Sequence, residues 1–234
     1  MTAREFSDEF SVLLNSFGIT PNIILDEYEK SIFLTQAQEQ LVIAAYTGKD
    51  PGFNLSFEET EELRNYLGTL VKTVIYRDSD IVENAYSLYP NAVTFKRDPD
   101  MWFIVYESAK LVDNRLGCLS GNTVSVVPAT HDELHRTVDN PFRGANKNRV
   151  LRLDKGSIAL NESSFELISK YKIEEYTVRF ITKPTPIILV KLSDGLSIDD
   201  TSEITKCILP ETLHRVILNR AVQLAIVAKT QLNK

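Results

Sequence analysis

The sequence predicts an α+β protein: an N-terminal helical part, a central mainly antiparallel β-sheet with a long basic loop, and a C-terminal amphipathic helix. Three observations carry this. Apolar side chains recur at helical spacing up to about residue 70. From about Val71 the chain turns to short runs rich in β-branched and aromatic residues. After Pro210 the helical spacing returns. These shifts give region boundaries of 1–72, 73–208 (with a helix and basic loop over 130–148) and 209–234, packed as one compact domain.

In REFSDEFSVLLNSFG, Phe6, Phe10, Leu13, Leu14 and Phe17 fall at steps of three and four, and Gly18 suits a left-handed C-cap. After the Thr20-Pro21 break, Asp26 is placed to cap a second helix, with Glu29 three residues on. Tyr28, Ile32, Ala37, Leu41 and Ala45 form its stripe, and Gly48 ends it. KDPGFNL reads as a loop. Ser56 with Glu59 makes a capping box for a third helix, whose buried face is Leu63, Tyr66, Leu67 and Leu70.

TVIYRD, AVTFKRD, MWFIVYESAKLV and NTVSVVPA read as antiparallel strands, parted in places by turn-like groups such as YPN and RDPD. The aromatics Trp102, Phe103 and Tyr106 read as core. KNRVLRLD is a further strand, SSFELISKY a short helix and EEYTVRFITK a strand. KPTPIILVKL has two X-Pro steps and reads as an edge strand or a lead-in to the sheet. Asp194-Gly195 marks a turn, and LSIDDTSEITKC a polar loop. Pro210 opens the last helix, with Leu213, Ile217, Ala221, Leu224 and Ala228 on one face.

Composition narrows the function classes. The chain has 234 residues, 43% hydrophobic, with 26 basic against 32 acidic residues for a net charge of −6. So acidic a surface does not wrap DNA as a whole. Cys118 and Cys207 form no CxxC and read as reduced core thiols, with Cys118 in GCLSG either buried or in a turn. The N-terminus lacks a signal-peptide pattern, and no apolar run is long enough to span a membrane.

THDELHRTVDNPFRG raises a metal reading, because His131 and His135 stand four residues apart. The pattern departs from H-E-x-x-H: Asp132 holds the base position with a shorter reach, and Glu133 falls on another face. The remaining histidine, His214, belongs to another helix. The alternative is structural. Thr130 with Glu133 caps a two-turn helix, Leu134 and Val138 are its apolar face, and Asn140-Pro141 stops it. GxxxxGK[ST], GxGxxG and GxSxG are absent, so the residues point to no catalytic group, no cofactor and no metal ligand set.

The basic run that follows is the stronger feature. Arg136 to Lys155 holds six basic and two acidic residues, +4 in a chain of −6, which leaves −10 on the remainder. It is either a solvated loop paired with nearby acids or an arm that docks on an acidic partner or on nucleic acid.

The phrases FSDEFSVLLNS and LDEYEKSIFLTQAQEQLV, the central VVPATHDELHRTVDNPFRG and RVLRLD, and the C-terminal YTVRFITKPTPIILVKL and CILPETLHRVILNRAVQLA resemble the virion ring, or head–tail connector, family of crAss-like bacteriophages. The resemblance covers nearly the whole chain, in order. It implies a structural, non-enzymatic virion protein of a short-tailed phage. Such a protein forms a homo-oligomeric ring of about twelve copies below the portal. It contacts the portal and other tail or ring proteins and surrounds the channel through which genomic DNA passes without sequence-specific binding or membrane contact. It also implies a place in the virion neck or tail, after assembly in the host cytoplasm. The alternatives are another tail or cargo protein of the same virion, a metal-dependent hydrolase using His131 and His135, and a host-directed regulator. On the ring reading the expected interface residues are Arg136, Phe142, Arg143, Lys147, Arg149 and Arg152, with the exposed end of the last helix.

Overall fold

Among the described residues, helices α1 (Ala3–Ser16), α2 (Glu27–Thr47), α3 (Glu61–Leu67), α4 (Leu134–Val138) and α5 (Glu211–Leu232) combine with eight strands. These are β1 (Val71–Arg77), β2 (Ile81–Val82), β3 (Val93–Lys96), β4 (Met101–Leu111), β5 (Thr123–Ala129), β6 (Arg149–Lys155), β7 (Ser164–Ile168) and β8 (Ile173–Thr182). The computed structural model describes residues 1–16, 25–48, 57, 59–82, 89, 91–138, 140–156, 163–193 and 195–232. The Gly18 cap, the Thr20-Pro21 break, the 49–55 loop, Ser56 and Asp194 lie outside these residues. The α+β class is as the sequence predicts. By contacts the chain divides into Met1–Leu70 with Lys183–Lys234, and Val71–Thr182.

The first unit is helical. Asp26 caps α2 as expected: its carboxylate accepts from the Glu29 N–H at 2.7 Å, and Glu29 reaches back to the Asp26 N–H. Gly48 ends α2 at φ 65°. The core is built from Phe6 and Phe10 of α1, Leu34, Leu41 and Val42 of α2, and Leu213, Ile217, Leu218, Ala221, Val222 and Ala225 of α5. Burying one large apolar side chain of this kind is worth about 1.5–3 kcal/mol. Helix α3 starts at Glu61 with Thr60 at the N-cap, so the expected start at Ser56 comes too early.

The buried face of α2 also carries Ser31, Thr35 and Gln38, which no apolar stripe predicts. Their role comes from residues 183–189, which are not a strand. The Ile187 N–H donates to Thr35 Oγ1 at 3.1 Å, and the Leu189 N–H to Ser31 Oγ at 3.0 Å. Gln38 Nε2 donates to the Thr185 carbonyl at 2.8 Å. Pro184 and Pro186 have no N–H to offer a sheet, so α2 side chains satisfy the backbone that a neighbouring strand would have paired.

The second unit is one mixed sheet in the order β1-β8-β4-β5-β6-β7-β3-β2. Every pairing is antiparallel except β5 with β6, which run parallel with Val126 opposite Val150. A parallel pair needs a crossover of about a dozen residues or more. That crossover is the segment read as a helix and basic loop. Leu134, Val138 and Ala145 from it pack against Leu151, Leu153 and Ile168 on one face of the sheet.

Two local expectations fail here, and the reading of Cys118 holds in part. SSFELISKY forms strand β7, not a helix. Phe165, Glu166, Leu167 and Ile168 are all buried, so both faces are covered and the two-residue alternation disappears from the sequence. Tyr106 is 52% exposed, so the β4 aromatics are not all core. Irregular register between Ile104 and Tyr106 re-aims side chains along that strand. Cys118 is exposed in the 3-10 turn Asn114–Leu119, whereas Cys207 is partly buried with its Sγ 3.4 Å from Gln38 Oε1; both thiols are free.

Candidate assembly surface

Helix α4 is short because the chain around it is fixed at both ends. It begins at Leu134, so Thr130 is not its N-cap. The Thr130 hydroxyl instead bonds the Asp132 carboxylate and, with nearby backbone N–H groups, holds that acid below its usual range. His131 therefore precedes the helix, and its Nε2 lies 2.8 Å from the Asp154 carbonyl. His135 is on the helix, so the pair does not share a helical face. Among the described residues, no group of three or more His, Cys, Asp or Glu side chains could hold a metal ion.

Beyond α4, Asn140 organises the loop. Its Oδ1 accepts from the N–H groups of Phe142 at 2.8 Å and Arg143 at 3.0 Å, and its carbonyl accepts from the Gly144 N–H at 2.7 Å. Gly144 is required by close approach. A Cβ there would stand 2.4 Å from the Val138 carbonyl oxygen and 2.6 Å from that of Thr137. The Asn146 and Arg149 backbones then pair with each other, and Arg149 Nη1 donates to the Phe142 carbonyl at 3.0 Å. Both backbone polar groups of Phe142 are thus bonded, while its side chain is 85% exposed. A single exposed aromatic is unremarkable. Here the backbone is clamped from both sides and exposed cations stand nearby, so the ring is presented at a fixed place.

The six expected interface residues separate into two groups. Phe142 and the exposed cations Arg136, Arg143 and Lys147 lie on α4 and its loop, and none of the three cations pairs with a carboxylate among the described residues. Arg149 is half-buried and is used in bracing the loop. Arg152 is elsewhere, inside the sheet. It is 7% exposed, its Nη1 is 2.6 Å from Glu107 Oε2, and its Nε is 3.2 Å from Asp154 Oδ1. Burial alone would lower its pKa, but Glu107, Asp154 and Tyr176 together raise it. The Tyr176 hydroxyl donates to the other Glu107 oxygen, and burial followed by that carboxylate pushes the phenol far up. Lys155 likewise pairs with buried Glu166 at 2.8 Å. The basic run is therefore half structural and half uncommitted, which charge counting alone cannot separate.

Sequence reasoning also passed over Val12 of α1. It falls off the Phe6–Phe10–Leu13 stripe and is 67% exposed. An apolar residue off the buried stripe was the available signal. Val216 and Val227 of α5 are similarly exposed.

The family model described as phage tail ring protein 3/4 matches residues 1–234. The chain belongs to the phage tail ring protein 3/4 family. It is 57% identical to Ring protein 3 of Bacteroides phage crAss001 over 233 residues, covering 99% of this chain and 98% of the relative. It is 28% identical to Ring protein 4/5 of the same phage over 230 residues, covering 96% of this chain and 92% of that relative. The chain is thus a crAss-like phage ring protein, as the sequence phrases implied. In this ring protein no helix among the described residues is long and apolar enough to cross a membrane.

Proposed function

We propose that this ring protein is a structural, non-catalytic part of a short-tailed virion. It forms a head-to-tail connector of roughly twelve copies that docks below the portal and surrounds the DNA channel. The observation that supports ring closure best is the α4 loop, with Phe142 exposed on a clamped backbone beside Arg136, Arg143 and Lys147. The rest of the chain is strongly acidic, so a basic knob on one copy has a complementary surface on the next. A knob on one surface and its receptor on another make a heterologous contact, which closes into a ring when the rotation closes. An acidic lining also suits DNA transit, because phosphate retention needs Lys and Arg.

Imaging of the intact particle tests this reading. The expected result is this chain in the neck, between portal and tail, as a ring with twelve-fold symmetry. A position outside the neck, or a variable copy number as for packaged cargo, overturns it.

A further inference from the structure

We infer that Phe142 of one copy seats in the groove between α1 and α5 of the next copy. The inference rests on the ring reading above and specifies its contact. The groove has a volume of about 350 Å³ and is lined by Asp8, Glu9, Val12, Leu13, Arg215 and Leu218, among others. That volume lies at the small end of pockets that take a compact ligand, where one aromatic side chain is a suitable occupant.

Two properties single out this occupant. The first is shape and polarity. Val12, Leu13 and Leu218 give the groove an apolar floor, and Val12 is largely exposed. Phe142 is the most exposed large apolar side chain among the described residues. The second is charge. Two carboxylates against the one guanidinium of Arg215 leave the groove net acidic. Among the described residues Asp8 has only an ion pair with Arg4 at 3.8 Å, where both side chains are largely in water, a contact of little energetic weight. Arg143 adjoins Phe142 and has no carboxylate partner among the described residues, so it is available to Asp8 or Glu9. The larger groove at 560 Å³, lined by Gln40, Val216, Arg220, Gln223 and Val227 among others, has no carboxylate among its described lining residues to receive Arg143.

Knob and groove belong to different compact units of the chain, Val71–Thr182 and Met1–Leu70 with Lys183–Lys234. They are therefore distinct surfaces. Their contact is heterologous, as a ring requires, and not the self-complementary patch of a two-fold dimer.

The test is native mass spectrometry and sedimentation of the purified full chain over a range of concentrations. It compares wild type, Phe142→Ala, Val12→Arg and a one-to-one mixture of the two variants. Both substitutions are at exposed positions, and circular dichroism checks that each variant is folded. The expected result is that wild type self-associates and each variant alone is weakened on the order of 30-fold, as for an aromatic hot spot. The mixture should stop at one-to-one dimers, because the intact knob of Val12→Arg meets the intact groove of Phe142→Ala only once. A second pair, Arg143→Glu with Glu9→Lys, should each weaken association and together restore it. The contact is overturned if wild type stays monomeric, if either variant assembles like wild type, or if the mixture gives no heterodimer. None of these outcomes moves the chain in an imaged particle, so the ring reading can survive the loss of this contact.

Discussion

The Arg152 guanidinium and the Glu107 carboxylate are 2.6 Å apart with both side chains 8% exposed, so a salt bridge spans from β6 to β4 inside the sheet. Tyr176 on β8 closes on the same carboxylate, and the Arg152 guanidinium lies 5.6 Å from the centre of the Phe165 ring on β7. Truncating one partner of such a pair leaves an uncompensated buried charge and costs about 3–5 kcal/mol. Arg152→Ala and Glu107→Ala should each lower the unfolding midpoint by this order, and the double variant should cost much less than their sum. Additive losses in chemical denaturation would mean that the two groups do not act together.

Arg143 and Lys147 behave differently, because both are exposed and without a carboxylate partner among the described residues. Reversing both to Glu should leave stability within about 0.5 kcal/mol of wild type. Ring formation or docking should be impaired, and wild-type assembly should weaken with added salt as exposed charges are screened. Unchanged assembly of the reversed variant, by native mass or particle imaging, removes these residues from the interface.

Thr35 and Ser31 hold the 183–189 segment through two buried hydroxyls. Thr35→Val and Ser31→Ala each orphan a buried backbone N–H, at about 1–3 kcal/mol. The denaturant midpoint should fall with little change in slope. If Thr35→Val is neutral, the hydroxyl is not what satisfies the Ile187 amide.

His214 predicts a pH dependence. It is 3% exposed, with Nδ1 at 2.8 Å from the Met1 amine and Nε2 at 3.0 Å from the Leu209 carbonyl. Burial lowers its pKa below 6.5; the Met1 amine adds to the lowering, while the Leu209 carbonyl and Glu211 oppose it. The unfolded chain therefore takes up this proton first as pH falls. The contribution of neutral His214 is fully present above about pH 6.5 and is lost as pH drops through the lower folded pKa. Stability measured between pH 7.5 and 5.5 should decline, and His214→Asn should flatten that part of the profile. An unchanged slope in the variant would assign the decline to other groups.

Much of the fold is legible because its signals are local. The Asp26–Glu29 cap, the Gly48 stop and the α5 stripe need only neighbours three or four residues away. Strand β7 is not legible, because a strand covered on both faces loses its alternation. Residues 183–192 carry a strand-like composition, but two prolines and a row of hydroxyls on α2 give them another partner.

The candidate surface follows the same division. The sequence by itself determined the α+β class, the ring-family likeness, the +4 run from Arg136 to Lys155 and the break at Asn140-Pro141. Only tertiary structure decided which of those cations are committed. Arg152 and Lys155 find carboxylates on other strands, Arg149 braces the loop, and Arg136, Arg143 and Lys147 remain exposed. The physical reason is distance along the chain. A capping box is settled within one turn of helix, whereas Arg152 meets Glu107 only after the crossover has brought β6 into the same sheet as β4.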